Sequence, residues 1–573
     1  MSLNLSRFSC IGEAIRESSV PFKSNLALVE INRDLENGRW SHLDLRREAE
    51  RFAAYLQDHG VVPGDLCAIV LSNQSKWVIS GLGIYWSGAV LVPLDYKLTP
   101  PELHGLLTHS QPKCLIIEWP IWQKLSKESS SIATTTKVLV TEAPEGADLN
   151  GAYRWEDSPQ GSFQFHRRNR EDIASIIYSS GTGGRAKGCM LSHGGFLTQV
   201  EQLHAVVSPV EDDRYFSIIP TNHAIDFMCG FLMPLICGAS VVHQRTLRPQ
   251  YLVETMKNYR ITLLALVPLL LKMIKQGIEE KIEALPAFTK SLFEGIKTLN
   301  ETMTRKQPRP GLSRMLFKGI HDRFGGSLRQ IIVGGAYVDR NLAEYFYRIG
   351  LPVAIGYGLT EAGTAITLND LKPFRGDTVG LPLPGMELEI RNPDEGGIGE
   401  IWASGPTLMK GYLDDPELTA ETLVKGWLRT GDLGKMDASG HLKIVGRSKN
   451  MVVTEGGKNV YPEDIENAFE DISDWEEFCI FAANYIWPEG RLIGEQLIVV
   501  FRPKGDGVSE ILLEGLRKRN RHLADYKRIS GFVVHERDFP RTSSMKIKRQ
   551  QLAQELKSLR KREEALRPLK GDA

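Results

Sequence analysis

The sequence predicts an α/β fold: a large N-terminal domain of layered α/β sheets plus a β subdomain, followed by a small α+β C-terminal domain. Three observations carry this. Between about residues 40 and 270, short apolar β-rich runs (CAIVL, AVLVPL, CLIIE, KVLVT, ASIIYS, YFSIIP, ASVVH, ITLLALVP) alternate with amphipathic stretches such as HLDLRREAERFAAYLQDHG. Such alternation is the mark of buried strands layered with helices. After about 380 the pattern becomes short β pieces, ELEIRN, GEIWASG and GHLKIVG, divided by Gly-rich turns. The chain then closes on EFCIFAA, EQLIVVF, a helix over SEILLEGLRKRNRHLA, GFVVHER and a charged terminal helix.

A length of 573 residues implies several packing units, and 42% apolar with 24% charged residues is ordinary globular usage, which excludes disordered, collagenous and coiled-coil classes. Lys+Arg and Asp+Glu are both 70, so no overall field draws the chain to nucleic acid, and no nucleic-acid partner is expected. Charge is nonetheless uneven: residues 514–573 hold 17 Lys/Arg against 8 Asp/Glu, a pattern that mostly signals a solvated helix face. Seven cysteines without a C-x-x-C pair fit reduced thiols and a cytoplasmic setting, and the N-terminus lacks the pattern of a secretory signal. The uncharged stretch Trp77 to Leu94 is interrupted by Gly, Ser and Pro93, and reads as a helix followed by a buried strand rather than a membrane span.

The stretch most telling of chemistry is ASIIYSSGTGGRAKGCMLSHGGF, residues 174–196. A β run enters a loop containing Gly181, Gly183, Gly184 and Gly188, with hydroxyls at Ser179, Ser180 and Thr182 beside Arg185 and Lys187. Glycines let successive backbone N–H groups turn inward around phosphate oxygens, and the hydroxyls and cations add donors. The loop is read as a phosphate cradle. It is not a Walker sequence, because Lys187 is followed by Gly188 rather than Ser or Thr.

YSSGTGGRAKG resembles the YTSGTTGxPKG signature of the adenylate-forming (AMP-binding) superfamily, and further signatures follow in that family's order. IGYGLTEAG (355–363) resembles GYGxTE, GEIWASGPTLMKGYLDDPELTAET (399–422) the GEI…GYxxxPExT element, and GWLRTGDLG (426–434) GWxxTGD. GHLKIVGRSKNMVVTEGGKNVYPEDIE (440–466) resembles the hinge signature and PRTSSMKIKR (540–549) the terminal PxTxxGKxxR. The resemblance implies activation of a carboxylate with ATP and Mg²⁺, chemistry that rests on positioning and electrostatics. It implies that Thr182, Lys187 and the loop with Ser179, Ser180, Gly181 and Gly184 hold phosphates. Glu361 would bind Mg²⁺ and Thr360 the α-phosphate. Tyr357 would stack on adenine, with Gly358 in the same element and Gly335 and Ala336 as the other wall. Asp432 and Arg447 would meet the ribose, and His223 the carboxylate of the acid.

By the same resemblance, residues 1–446 form the nucleotide- and acyl-binding domain, 447–450 with Lys449 a hinge, and 451–573 a mobile domain. Lys546 would point at the α-phosphate before the domain rotates, and Gly457 would line the path of a thiol afterward. Gly183 and Ala186 depart from the usual Thr and Pro. Met545 stands where the family has Gly, and would be strained if that position needs a positive φ.

Residues 272–326 form a long insertion holding 11 Lys/Arg against 6 Asp/Glu, within which Leu292, Ile296, Leu299 and Met303 recur at helical spacing. A core-facing helix is the default reading; a basic amphipathic helix can also cap an acyl tunnel or lie peripherally on a membrane. Its placement resembles the long-chain fatty acyl-CoA synthetase branch. The expected substrates are therefore a fatty acid, ATP and CoA. A fatty acyl-AMP ligase or acyl-carrier-protein synthetase, or a non-catalytic ATP- or acyl-binding paralog, remain the alternatives.

Overall fold

The computed structural model describes residues 3–128, 132–158, 161–179, 187–453, 459–470, 472, 474–488, 496–505, 507–542 and 545–569. By contacts the chain divides into two units, the first of residues 1–388 and 403–429, the second of 389–402 and 430–573.

The first unit is built on two sheets. One has eight strands in the order Gly411–Tyr412, Lys187–Ser192, Ile173–Ser179, Val90–Pro93, Leu66–Val70, Cys114–Glu118, Lys137–Thr141 and Tyr153–Arg154. The other has nine, in the order Leu381–Pro382, Thr367–Leu368, Val353–Tyr357, Gln330–Val333, Leu263–Leu266, Arg214–Ser217, Ser240–Gln244, Leu26–Asn32 and Leu35–Ser41. Their central strands are parallel and their edges include antiparallel pairs. Parallel strands need both faces covered, which is why the runs read from sequence are continuous Val/Ile/Leu rather than alternating. The helix Ser75–Trp86 is buried almost along its whole length and leads to Val90–Pro93, as the uncharged stretch implied. It lies close against its neighbour because Gly83 has no side chain: a Cβ there would sit 2.7 Å from Phe52 and 3.2 Å from the Ala53 nitrogen. That neighbour, His42–Asp58, opens on a capping box in which the Asp44 nitrogen donates to Ser41 Oγ at 3.1 Å and the Ser41 nitrogen donates to Asp44 at 3.0 Å.

The insertion forms helices, chiefly Pro268–Glu283 and Ala287–Thr304. The default core-facing reading of the second does not hold. Ile296 packs inward, but Leu292, Leu299 and Met303 face solvent, because the helix is turned to bury Lys297, Asn300 and Thr304 instead.

In the second unit the strand Trp427–Met436 pairs antiparallel with Leu442–Arg447, placing Asp432 opposite Arg447. A further sheet runs in the order Trp475–Ala482, Leu497–Pro503, Gly531–Val534 and Arg567–Pro568, with Pro462–Phe469 and Glu510–His522 on one face and Arg549–Leu559 on the other. Residues 389–402 and 430–446 were expected in the N-terminal domain, yet by contacts they group with the C-terminal residues. The helix Pro462–Phe469 packs on Leu442–Arg447, and the absent Gly446 side chain makes room, since a Cβ would come within 3.0 Å of Glu463 and 3.4 Å of Tyr461. The expected hinge residues 447–450 lie inside this unit, on the short turn Ser448–Asn450.

All seven cysteines are free thiols. No helix among the described residues is long and apolar enough to cross a membrane.

Candidate functional site

The strands Ile173–Ser179 and Lys187–Ser192 form an antiparallel hairpin with Ser179 opposite Lys187. Ser180, Gly181, Thr182 and Gly184, in the loop between them, lie outside the described residues, so the mouth of the expected cradle is what the structure places. There three separate sequence elements meet. Glu361, on the turn Thr360–Ala362, accepts a hydrogen bond from Ser179 Oγ at 3.0 Å and another from the Tyr412 hydroxyl at 3.1 Å, both on Oε1. Its own carbonyl accepts from the Met409 nitrogen at 2.8 Å, which fixes the turn against the chain leading to Tyr412. Tyr412 is opposite Cys189 in the sheet, and Lys187 Nζ lies 5.2 Å from the Tyr412 ring centroid, a cation–π distance.

Tyr412 has no role in the sequence reading, although it belongs to the GY pair of a quoted motif. Burial, and then the Glu361 charge, raise its hydroxyl well above the ordinary phenol range, so it remains a donor. The same two causes hold the Cys189 thiol protonated beside Ser179, 3.8 Å away, which removes it as a nucleophile.

Among the described residues no group of three or more His, Cys, Asp or Glu side chains could hold a metal. One carboxylate beside a phosphate-binding loop nevertheless suits Mg²⁺, which takes one or two carboxylates and completes its octahedron with phosphate oxygens and water. Glu361 fits that pattern.

Neighbouring parallel strands Gln330–Val333 and Val353–Tyr357 deliver Gly334–Gly335–Ala336 and Tyr357–Gly358 side by side at their carboxyl ends, where open α/β sheets bind ligands. Gly335 has φ 83°, and Ala336 is exposed. Gly358 is obligatory, because a Cβ would sit 1.9 Å from the Thr364 carbonyl oxygen. Tyr357 and Thr360 are half-buried. His223 follows the strand Arg214–Ser217 in the same sheet, and its Cε1 is 4.0 Å from the position a Cβ on Gly335 would take. The structure thus brings His223, expected near the acid's carboxylate, beside the Gly335–Ala336 turn expected to wall the adenine.

Beneath His223 lies a group the sequence did not reveal. Asp226 is fully buried and accepts hydrogen bonds from the Tyr215 hydroxyl at 2.8 Å, Ser217 Oγ at 2.8 Å and Thr221 Oγ1 at 2.9 Å. Gly230 allows this, since a Cβ there would be 2.7 Å from the carboxylate. The π-helical turn Phe227–Leu232 follows. Phe227 lies one turn on from His223, its nitrogen donating to the His223 carbonyl at 2.8 Å. Its ring is wholly buried against Trp77, Phe196 and Phe231, at centroid distances of 6.1, 5.3 and 5.6 Å. Gln199 is a second unforeseen residue: its Oε1 accepts from the Thr364 and Ala365 nitrogens at 3.1 and 3.0 Å, steadying the turn after Glu361. No periodicity marks either residue: Gln199 acts on backbone 165 residues away, and Asp226 on hydroxyls of the preceding strand and turn that only the fold gathers around it.

In the second unit, Arg447 Nε meets the buried Asp432 carboxylate at 2.9 Å across paired strands. Lys449 sits on the turn Ser448–Asn450; Gly457 lies outside the described residues. The Lys546 segment is a tight loop. The Thr542 nitrogen donates to the Lys546 carbonyl at 2.8 Å, the Lys546 nitrogen to Thr542 Oγ1 at 3.1 Å, and the Met545 nitrogen to the Thr542 carbonyl at 2.8 Å. Flanking arginines pin it: Arg541 pairs with Glu477 at 2.6 Å, and the half-buried Arg549 pairs with Glu466 at 2.5 Å and donates to the Ile480 carbonyl at 2.7 Å. Met545 has φ 64°, the left-handed conformation that the glycine of the resembling motif would adopt without strain.

A model of the family described as AMP-binding enzyme matches residues 19–413. A propanoyl:CoA ligase of Rhodococcus jostii (strain RHA1), whose acid carries a methyl-dioxo-octahydroindenyl group, is 28% identical over 540 residues, covering 91% of this chain and 94% of that protein. Long chain acyl-CoA synthetase 2 of Arabidopsis thaliana is 25% identical over 570 residues, covering 89% and 85%. The crystal structure of ATP-bound MatB from Rhodopseudomonas palustris superposes with a TM-score of 0.73 at 23% identity over 96% of this chain and 99% of that one, a likeness of fold.

Two outcomes follow from this geometry. Met545→Gly removes a left-handed side chain worth roughly 1 to 2 kcal/mol of strain, offset by about 0.5 to 1 kcal/mol of unfolded-state entropy. Urea denaturation should find it as stable as wild type or slightly more so, and Met545→Val, branched at Cβ, clearly less stable. Burial pushes the Asp226 carboxyl from its ordinary 3.8 up to about 6. A raised folded pKa means stability fully present below the unfolded value and lost as pH rises through the folded one. Wild type should therefore lose up to roughly 3 kcal/mol relative to Asp226→Asn between about pH 4 and 6, read from denaturation midpoints in buffers across that range.

Proposed function

Because the chain belongs to the AMP-binding enzyme family, we propose that it is an acid–thiol ligase that activates a long-chain fatty acid to acyl-AMP and transfers the acyl group to CoA. The observation that carries this is the meeting of Ser179, Lys187, Tyr412 and Glu361 at the mouth of a glycine-rich loop. In the first step a carboxylate oxygen attacks the α-phosphorus and pyrophosphate leaves; in the second the CoA thiolate attacks the acyl carbonyl and AMP leaves. Lys187 and the loop around Thr182 hold the β- and γ-phosphates, and Thr360 donates to the α-phosphate. Mg²⁺ held by Glu361 would neutralise phosphate charge during the first step. Ser179 and Tyr412 fix that carboxylate by donating to one oxygen, Oε1, and leave Oε2 unused by either. Tyr357, Gly335, Ala336 and Gly358 take the adenine, and Asp432 with Arg447 the ribose hydroxyls. His223, seated on the Asp226 network, takes the acid's carboxylate. Lys546 stabilises charge at the α-phosphate, and exchanging it for Gly457 in the thiol step would require movement at the turn Ser448–Asn450 that parts Pro462–Phe469 from Leu442–Arg447.

Support for a fatty acid comes from the similarity to a synthetase described as long-chain. The Rhodococcus relative, described by a bicyclic acid, makes a compact ring acid the second reading. Pyrophosphate release over a panel from acetate through oleate, with ferulate and benzoate included, decides between them. Each CH₂ that enters an apolar site adds about 0.8 kcal/mol, so specificity should climb with chain length; a maximum at a ring acid would overturn the fatty-acid reading.

Lys546→Ala separates the half-reactions. Loss of a transition-state donor costs about 3 to 4 kcal/mol, so adenylation should fall roughly a hundred- to thousandfold. Thioester formation from synthetic oleoyl-AMP and CoA should be largely spared. Equal loss of both would show that Lys546 serves binding or folding instead.

A further inference from the structure

The helix Ala287–Thr304 packs Phe293 and Ile296 against the core yet presents a second set of apolar residues to water, while Lys297, Asn300 and Thr304 are buried. At 100° per residue Phe288, Leu292, Leu299 and Met303 fall on one narrow stripe, and they are 81%, 52%, 51% and 44% exposed. The buried side is held by polar contacts. Asn300 is fully buried, donating to the Arg348 carbonyl at 3.0 Å and accepting from Ser313 at 2.9 Å. The Thr304 carbonyl accepts from the Tyr347 hydroxyl. Lys297 is buried with its ammonium 2.8 Å from Glu294 and 5.1 Å from the Tyr345 ring centroid. These bonds lock the rotation of the helix, so the outward stripe is fixed rather than a consequence of loose packing.

Charge identifies what covers it. The acids beside the stripe are already matched, Glu283 with Lys290 at 2.6 Å, Glu294 with Lys297, and Glu301 with Arg348 at 3.0 Å. The helix then runs into Arg305, Lys306 and Arg309, all exposed, and the next helix displays Met315 at 70% exposure. Across residues 304–323 there are six Lys/Arg and one acid, Asp322. A second copy of this surface would bring like charges together, whereas an anionic bilayer offers negative headgroups to the cations and an acyl boundary to the stripe. We propose that this face seats the protein on an anionic lipid surface, the helix lying in the interface plane. The inference goes beyond the catalytic reading and uses none of its residues.

The test is cosedimentation of the full-length chain, without ATP, acid or CoA, with vesicles of phosphatidylcholine and phosphatidylglycerol in equal parts and with phosphatidylcholine alone. Wild type should partition to the mixed vesicles and be released by salt. Arg305→Gln/Lys306→Gln/Arg309→Gln should lower the partition coefficient on the order of a hundredfold, since each surface cation is worth about a fivefold change. Leu292→Ser/Leu299→Ser, made at exposed positions where folding is not at stake, should lower it by at least about tenfold. Vesicle binding equal in wild type and both variants, or no binding of wild type to anionic vesicles, would overturn the proposal. So would a wild-type dimer, seen by light scattering, that dissociates in the leucine variant. Pyrophosphate release with a water-soluble acid reports the catalytic reading separately, and these variants should leave it unchanged.

Discussion

The Glu361 carboxylate is the tie on which the first unit's site depends. It follows a strand of the nine-stranded sheet, while Ser179 and Tyr412, the hydroxyls that hold it, stand on the eight-stranded one. Two sheets that meet elsewhere through apolar packing and through polar contacts such as Asn73 with Ser217 are thereby also registered at the point where phosphate chemistry would occur. Apolar packing is non-directional and fixes separation better than register; a carboxylate gripped by two O–H donors fixes both. The rest of the local structure serves this grip. Gly358 lets the chain fold tightly enough to turn back, Gln199 bonds the returning backbone, and the Met409 bond closes the loop behind Tyr412.

Asp226 shows the opposite use of a buried carboxyl. Three hydroxyls satisfy it, yet burial still raises its pKa, so at neutral pH it stores unfavourable charge. What that cost brings is order in the segment from Pro220 to His223, where Asn73 also acts. The Thr221 nitrogen donates to Asn73 Oδ1 at 3.0 Å, and the Asn73 amide donates to the Ile219 carbonyl at 2.7 Å. His223 is therefore carried by a turn with several independent supports, while Phe227, next to it in the fold, belongs to the aromatic core.

In the second unit, ion pairs do comparable work at a loop. The segment with Lys546 has little apolar content of its own, and two arginines four residues or fewer from its ends reach buried or half-buried glutamates. Such pairs hold a short loop open against collapse at the cost of desolvating the charges. The left-handed Met545 carries backbone strain, and the sequence had marked the position because a glycine is usual there.

Much was legible in the order of residues alone. Continuous Val/Ile/Leu runs announced parallel strands buried on both faces, because such strands have no solvated side to mark by alternation. The Tyr357–Gly358 turn was legible because it is a local device whose parts lie within a few residues. The tertiary structure alone decided what is non-local. Tyr412 reaches Glu361 across 51 residues of chain, Gln199 reaches Thr364 across 165, and the grouping of residues 430–446 with the C-terminal unit depends on strand pairing and on Pro462–Phe469 packing there. The orientation of Ala287–Thr304 is the clearest case. Its apolar spacing determined that it would be a helix, but its facing follows Arg348, Ser313 and Tyr347, whose hydrogen bonds hold Asn300 and Thr304 inward while Leu292, Leu299 and Met303 stay at the surface. A periodic pattern specifies which residues share a face; only the partners available in three dimensions determine where that face points.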